Sequence, residues 1–203
     1  MNFDFSDDQK ALKDQARKFL ADKSAIKVVR GVLDDDARSY DEALWRGVAE
    51  MGWLGAAIPE EYGGLGLGRL ELCVLAEEIG RAGAPIPFSS TVYFFAEALL
   101  IAGSEAQKSA YLAKVAGGEA IGCFALSEGP GAPAASSISA KFDGSTLTGV
   151  KIPVTDGDCA THAVVVAKEG SGVSLVLVDL NQPGVTRTTL KTLDPTRGHA
   201  KLD

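Results

Sequence analysis

Apolar positions recur with a helical period over the first 120 residues and with a shorter one after that. Ser6 followed by Gln9 has capping-box spacing, and Leu12, Ala16, Phe19 and Leu20 then repeat at helical intervals, which predicts an opening helix. The run Asp34-Asp35-Asp36 marks a loop. A second helix is expected from about Tyr40 to Met51, with Leu44, Trp45, Val48 and Met51 on one face and Gly52 as its stop. Ile58-Pro59-Glu60-Glu61-Tyr62-Gly63-Gly64-Leu65-Gly66 is too rich in glycine to be helical. Helical spacing resumes from about Leu70 to Arg81, with Leu72, Cys73, Leu75, Ala76 and Ile79 as its expected buried face. Ala84-Pro85-Ile86-Pro87 breaks the chain. Thr91 to Ala102 is so apolar that it is expected in the core. Ser104 and Gln107 repeat the capping-box spacing and open a helix through Leu112 and Val115.

Beyond Gly117-Gly118 the period changes. Ile121 to Leu126 is a short apolar run, and residues 137–150 alternate around Asp143-Gly144, a hairpin-turn signature. Ala163 to Ala167, Val173 to Val178 and Val185 to Leu190 are further β-rich runs. No helix of typical length fits between them, so a mainly antiparallel sheet is expected. The predicted fold class is α+β: an all-α helical domain over residues 1–120, then a small, mainly antiparallel β domain over residues 121–203. No internal repeat or low-complexity tract interrupts this plan.

Composition narrows the functional classes. The chain has 203 residues, with 27 acidic against 20 basic side chains and a net charge of −7. That excess argues against nucleic-acid binding, which needs clustered cations. No apolar run approaches the ~20 residues of a membrane span. The acidic start Met1-Asn2-Phe3-Asp4-Phe5 lacks the basic region and apolar core of a signal peptide, so a cytoplasmic location is expected. Cys73, Cys123 and Cys159 are far apart and only two histidines exist, so no metal site is expected. The three thiols read as reduced and partly buried.

The residues alone say little about chemistry. His162 beside a strand and His199 in a polar tail read as packing or surface residues. Glu60-Glu61 and Glu77-Glu78 read as solvated faces, because adjacent helical residues do not face each other. Gly63 to Gly68 follows no strand and precedes no Lys-Ser/Thr pair, so it reads as a structural turn rather than a phosphate loop. The small, hydroxyl-rich segment Ser127 to Ser137 follows a strand. It is either an ordinary loop or one that brings backbone N–H groups to a ligand.

The order of these segments carries a resemblance. Phe5-Ser6-Asp7-Asp8-Gln9, Leu44-Trp45 through Met51-Gly52-Trp53-Leu54-Gly55, Ile58 to Gly66, Glu77-Glu78-Ile79-Gly80-Arg81, Gly103 to Lys108 and Cys123-Phe124-Ala125-Leu126-Ser127-Glu128 together resemble the helical and middle domains of an acyl-CoA dehydrogenase. The resemblance implies FAD, an acyl-CoA substrate oxidised to its 2,3-enoyl form, and electron-transferring flavoprotein or a similar acceptor. It also implies a homo- or hetero-oligomer. Phe124, Ala125, Leu126 and Ser127 would line the flavin, with Ser127 in place of the usual Thr. Pro153, Val154 and Thr155 match the second flavin segment. There the Thr155 hydroxyl either bonds the isoalloxazine edge or merely its own backbone. Pro153 stands where the family usually has Trp. The family's Glu-Pro-x-x-Gly-Ser-Asp run is replaced by Glu128-Gly129-Pro130-Gly131-Ala132-Pro133, leaving Ser136 as the candidate contact to flavin or substrate. The family's catalytic glutamate lies in a further helical bundle, so no catalytic residue is assigned here. These departures leave two alternatives open: a non-catalytic or half-site subunit of a heteromeric dehydrogenase, and a flavin-free binding module.

Overall fold

A computed structural model describes residues 4–203; Met1, Asn2 and Phe3, on which part of the signal-peptide reading rests, lie outside the described residues. Helix α1 (Asp7–Lys23) begins as expected. The Ser6 hydroxyl accepts from Gln9 N at 3.2 Å, and the Gln9 side chain accepts from Ser6 N at 3.0 Å. Helix α2 (Ile26–Leu33) has no counterpart in the expected pattern; it has eight residues and no side-chain cap. Helix α3 (Glu42–Glu50) starts later than expected because Asp41 caps it, accepting from Leu44 N at 2.8 Å. Gly52 ends it in the left-handed region, at φ +75°. Helix α4 (Arg69–Arg81) follows the glycine-rich turn. A wide, π-helical segment (Ser90–Ala96) runs into α5 (Glu97–Ala102), and α6 (Glu105–Ala116) opens on the expected capping box of Ser104 and Gln107.

Strands β1 (Gly122–Ala125), β2 (Lys141–Phe142), β3 (Leu147–Thr148), β5 (His162–Glu169) and β6 (Gly172–Asp179) form one sheet. Strands β4 (Lys151–Thr155), β8 (His199–Leu202) and β7 (Arg187–Thr189) form a second, in that order. The β2–β3, β5–β6, β4–β8 and β7–β8 pairs are antiparallel, as expected. However, β1 and β2 both run parallel to β5. The long path from Ala125 to His162 permits the parallel β1–β5 register without a crossover helix. The hairpin turn at Asp143 is an Asx turn: its carboxylate accepts from Ser145 N at 2.9 Å and Thr146 N at 2.8 Å.

The core runs across both regions. Leu20, Leu44, Trp45, Trp53 and Leu54 pack in one cluster with Cys123, Ala163, Val165, Ala200 and Leu202. Each large aliphatic or aromatic buried there contributes roughly 1.5–3 kcal/mol.

Four expectations change. Glu78 is not on a solvated face; it is 2% exposed and held by Arg17 at 2.8 Å and Arg81 at 3.4 Å. Cys73 is exposed on α4, and Val74 rather than Cys73 enters the core. His199 lies on β8, not in a polar tail; a four-residue strand is too short for its alternation to stand out. Finally, Thr91 to Ala102 is only partly core, because Phe94 is 56% and Ile101 73% exposed. The π-helical turn explains this last difference. It shifts the register of side chains away from the 3.6-residue spacing on which the expectation rested.

Candidate functional site

Alternation along β1 and β4 decides which side chains share a face. Ala125 and Val154 point into the core and are 0% and 1% exposed. Phe124, Leu126, Ser127, Pro153 and Thr155 instead line one cleft of ≈ 340 Å³. The two segments meet where Ile152 N donates to the Ser127 carbonyl at 2.8 Å. Thus the two separated stretches picked from the sequence are brought together, with Ala125 and Val154 behind the surface rather than on it.

The helical region supplies the opposite wall. Thr91 docks the π-helical segment on β1: its hydroxyl accepts from Gly122 N at 3.2 Å and donates to Gly122 O at 3.3 Å. Gly122 is required there, since a Cβ would lie 2.0 Å from the Phe95 ring. This docking carries Phe94 to Phe124, with ring centroids 6.4 Å apart and planes tilted by 36°.

Charge around the cleft is already paired. The Arg197 guanidinium donates to Asp156 Oδ2 at 2.6 Å and to the hydroxyls of Ser89 at 2.7 Å and Ser90 at 3.1 Å. Ser90 also donates to Asp156, which is buried and held in the left-handed region at φ 55°. On the other flank, buried Lys151 donates to Glu128 at 2.7 Å and to the Leu126 carbonyl at 3.1 Å. Burial pushes the Glu128 carboxyl up, but Lys151 and the N–H groups of Ala140 and Ser139 outweigh it and hold it down at about 2.

Thr155 faces His199 directly across β4–β8, with Oγ1 3.2 Å from Nε2. The Ser127 hydroxyl has no hydrogen-bond partner among the described residues and is free for a ligand. Ser136 sits on the short turn Ala135–Ser137 and is exposed; its carbonyl accepts from Lys168 at 3.5 Å. It does not line the cleft. Ser137 lines a separate cavity of ≈ 150 Å³ inside the Ser127–Ile138 loop.

The chemistry of this donor set suits a flat, uncharged, aromatic ring with a polar edge. It offers two aromatic faces, a proline ring and the hydroxyls of Ser127 and Thr155, while those of Ser89 and Ser90 are held by Arg197 and its ion pairs are satisfied internally. Its volume is at the lower end of the roughly 300–1,000 Å³ of ligand sites. The isoalloxazine of a flavin fits that description. Other chemistry is disfavoured at the remaining candidates. Burial pushes the Cys123 thiol up to about 12 and raises Cys159 as well, so neither is a ready nucleophile. His162 packs edge-on against Tyr111 at 5.0 Å, and burial lowers its pKa. Among the described residues no cluster of His, Cys, Asp and Glu could hold a metal ion, and no helix is long and apolar enough to cross a membrane.

Sequence reasoning missed Phe94, Ser89, Ser90, Arg197 and His199. Phe94 was hidden in an apolar run whose turn width only the fold reveals. The others reach the cleft through contacts more than 40 residues apart, for which local spacing carries no signal.

Comparison with known proteins places the chain in a family. A family profile described as "Acyl-CoA dehydrogenase, N-terminal domain" matches residues 6–119. Isovaleryl-CoA dehydrogenase of Arabidopsis thaliana is 33% identical over 203 residues, covering 94% of this chain and 48% of that protein. The chain therefore spans about half the length of the curated relatives it matches. An acyl-CoA dehydrogenase from Bacillus anthracis, solved in complex with FAD, superposes with a TM-score of 0.86 at 28% identity, over 98% of this chain and 36% of the other. The ChsE4-ChsE5 complex from Mycobacterium tuberculosis gives a TM-score of 0.87 at 26% identity, over 100% of this chain and 55% of the other.

Proposed function

The chain belongs to the acyl-CoA dehydrogenase family, and from that premise we propose that it forms the helical and middle-domain half of a flavin-dependent enzyme that oxidises an acyl-CoA thioester. The observation that carries this reading is the convergence of Phe124, Leu126 and Ser127 with Pro153 and Thr155 on one cleft. FAD, when bound, would take up the hydride released from the acyl chain. The residues of this chain bind and orient. Phe124 and Phe94 flank the ring, and Leu126 and Pro153 exclude water from its face. Ser127 and Thr155 bond its polar edge. The backbone of Ala125 and Val154 completes the wall, while their side chains hold the two strands to the core. Ser136, exposed on its turn, would meet the substrate side of the loop. The base that takes the α-proton, and the electron acceptor, would come from outside these 203 residues. The acceptor would be an electron-transferring flavoprotein or a protein of similar chemistry.

The test is the visible spectrum of the purified native full-length protein, followed by addition of acyl-CoA thioesters. Flavin near one per chain, bleached by a thioester, supports the reading. A protein that stays colourless after FAD is added overturns it.

One observation favours a second reading, a half-site subunit of a heteromeric dehydrogenase. Pro153 is exposed at the cleft and supplies no aromatic plane. A homologous partner would then have to complete the site, and one of the matched structures is itself a two-component complex. Co-purification of a homologous second chain supports this alternative; full activity of a homo-oligomer removes it.

A further inference from the structure

Two atoms fix the tautomer of the neutral His199 ring. Its Nδ1 lies 3.1 Å from the Arg197 carbonyl oxygen and its Nε2 lies 3.2 Å from Thr155 Oγ1. A carbonyl oxygen only accepts, so Nδ1 carries the hydrogen. In the neutral ring Nε2 is then a bare lone pair, and the hydrogen in the second contact comes from the threonine. A hydroxyl has one hydrogen. Thr155 therefore spends it on His199 and keeps only lone pairs for the cleft that it lines. This direction holds for the neutral ring, and Asp194 is the carboxylate that interacts electrostatically with it. The Arg197 guanidinium is occupied by Asp156, Ser89 and Ser90, and the antiparallel register holds Thr155 directly opposite His199.

We propose that His199 is a positioning residue that makes Thr155 an obligate hydrogen-bond acceptor at the cleft, so that a flavin ring bound there is favoured in its reduced form. The inference rests on the reading of the cleft as a flavin site. The reasoning is one of complementarity. Of the edge nitrogens of the oxidised isoalloxazine, N3 already carries a hydrogen, but N1 and N5 are bare lone pairs, and N5 facing Thr155 would repel an acceptor. A hydride, one proton with two electrons taken from the acyl chain, would turn N5 into an N–H donor, which an acceptor would hold. His199 acts through Thr155 and touches no reacting atom.

Two experiments test this. The first is nitrogen-15 NMR of the histidine rings in the full-length protein at a pH where they are neutral, with a His162→Gln sample to assign the signals. An Nδ1–H, bare-Nε2 ring for His199 is expected; an Nε2–H ring overturns the proposal whatever the flavin does. The second is the midpoint potential of the bound flavin, read spectroscopically. In His199→Leu the Thr155 hydroxyl is released to donate, and the preference for reduced over oxidised flavin should fall roughly tenfold, about 30 mV for a two-electron couple. His199→Gln, whose amide oxygen can accept from Thr155, should recover most of that shift. Thr155→Val tests the same contact if the leucine variant does not fold: it should lower the potential too, and adding His199→Leu to it should change nothing further. Bound flavin with an unchanged potential in both His199→Leu and Thr155→Val overturns this inference alone. A wild-type protein that takes up no flavin overturns the cleft reading, and this inference with it.

Discussion

Buried Lys151 and half-buried Glu128 form an ion pair whose carboxylate also accepts two backbone N–H groups, from Ser139 at 2.6 Å and Ala140 at 3.0 Å. The pair ties the loop after β1 to β4 and so fixes one edge of the cleft. The folded-state pKa of Glu128, about 2, lies below its ordinary value of 4.5. Its stabilisation is therefore complete above the unfolded value and is lost as pH falls from about 5 towards 2, and it amounts to roughly 3 kcal/mol. Urea titrations between pH 7 and pH 3 should show this loss in the wild type and a flatter profile in Glu128→Gln. Lys151→Met leaves the carboxylate buried without its cation and should cost about 3–5 kcal/mol at pH 7. Phe94 is the contrasting case. It is 56% exposed, so Phe94→Ala should move the folding midpoint little, by about 0.5 kcal/mol. If its ring flanks the flavin, equilibrium dialysis should show flavin affinity falling by roughly threefold to tenfold, the worth of one aromatic pair. Of these three residues, Glu128 stood out in the sequence only as part of an altered motif. Phe94 stood out only as one position of an apolar run and Lys151 not at all, because their roles depend on partners 30 and 23 positions away.

At the scale of elements, helix starts were legible and helix neighbours were not. The capping boxes at Ser6 and Ser104 form as spacing required, since both partners lie within one turn. By contrast, the pairing of α1 with α4 was invisible. It is a ladder of Gln9 with Glu71 at 2.8 Å, Lys13 with Glu77 at 2.7 Å and Arg17 with Glu78 at 2.8 Å, each spanning more than 60 positions. The rungs are not equal. Glu78 is buried and Arg17 holds its carboxyl low against the opposing effect of burial, whereas Glu77 is exposed. Chemical denaturation should therefore give a loss of about 1–3 kcal/mol for Arg17→Met, against about 1 kcal/mol or less for Lys13→Met. The junction of β1 with the π-helical segment is tighter still. Gly122→Ala would drive a methyl into the Phe95 ring and should cost about 3 kcal/mol by overpacking. The same change at Gly80, where nothing lies within 4 Å, should stabilise α4 by up to about 1 kcal/mol. The cleft was half legible on these terms: the apolar run of β1 announced its strand and the resemblance marked Pro153 to Thr155 on β4, but the wall from Ser89 to Phe94 comes from packing that no periodicity encodes.

For the whole molecule, the same packing that builds the cleft leaves apolar surface uncovered. Strand β6 is a long edge whose outer side pairs with no strand among the described residues, and it exposes Val173 and Leu175 at 44% and 46%. Ala98, Ala102, Leu175 and Leu177 line a shallow groove where α5 meets that strand, and Ile101 stands exposed on the same helix at 73%. An edge strand with exposed β-branched and aliphatic residues is a template for pairing with another chain, and natural edges are usually blunted by charge. No lysine or arginine interrupts Gly172 to Asp179 to do so. This 203-residue chain on its own should therefore associate reversibly. Sedimentation velocity across a concentration series should show mass rising above the monomer, and salt should strengthen rather than weaken the association, because apolar burial rather than ion pairing drives it. Placing charge on the edge with Leu175→Lys should shift the series back to monomer with little loss of stability, since that side chain is nearly half exposed. A concentration-independent monomer in the wild type would mean that the edge is protected by its own twist.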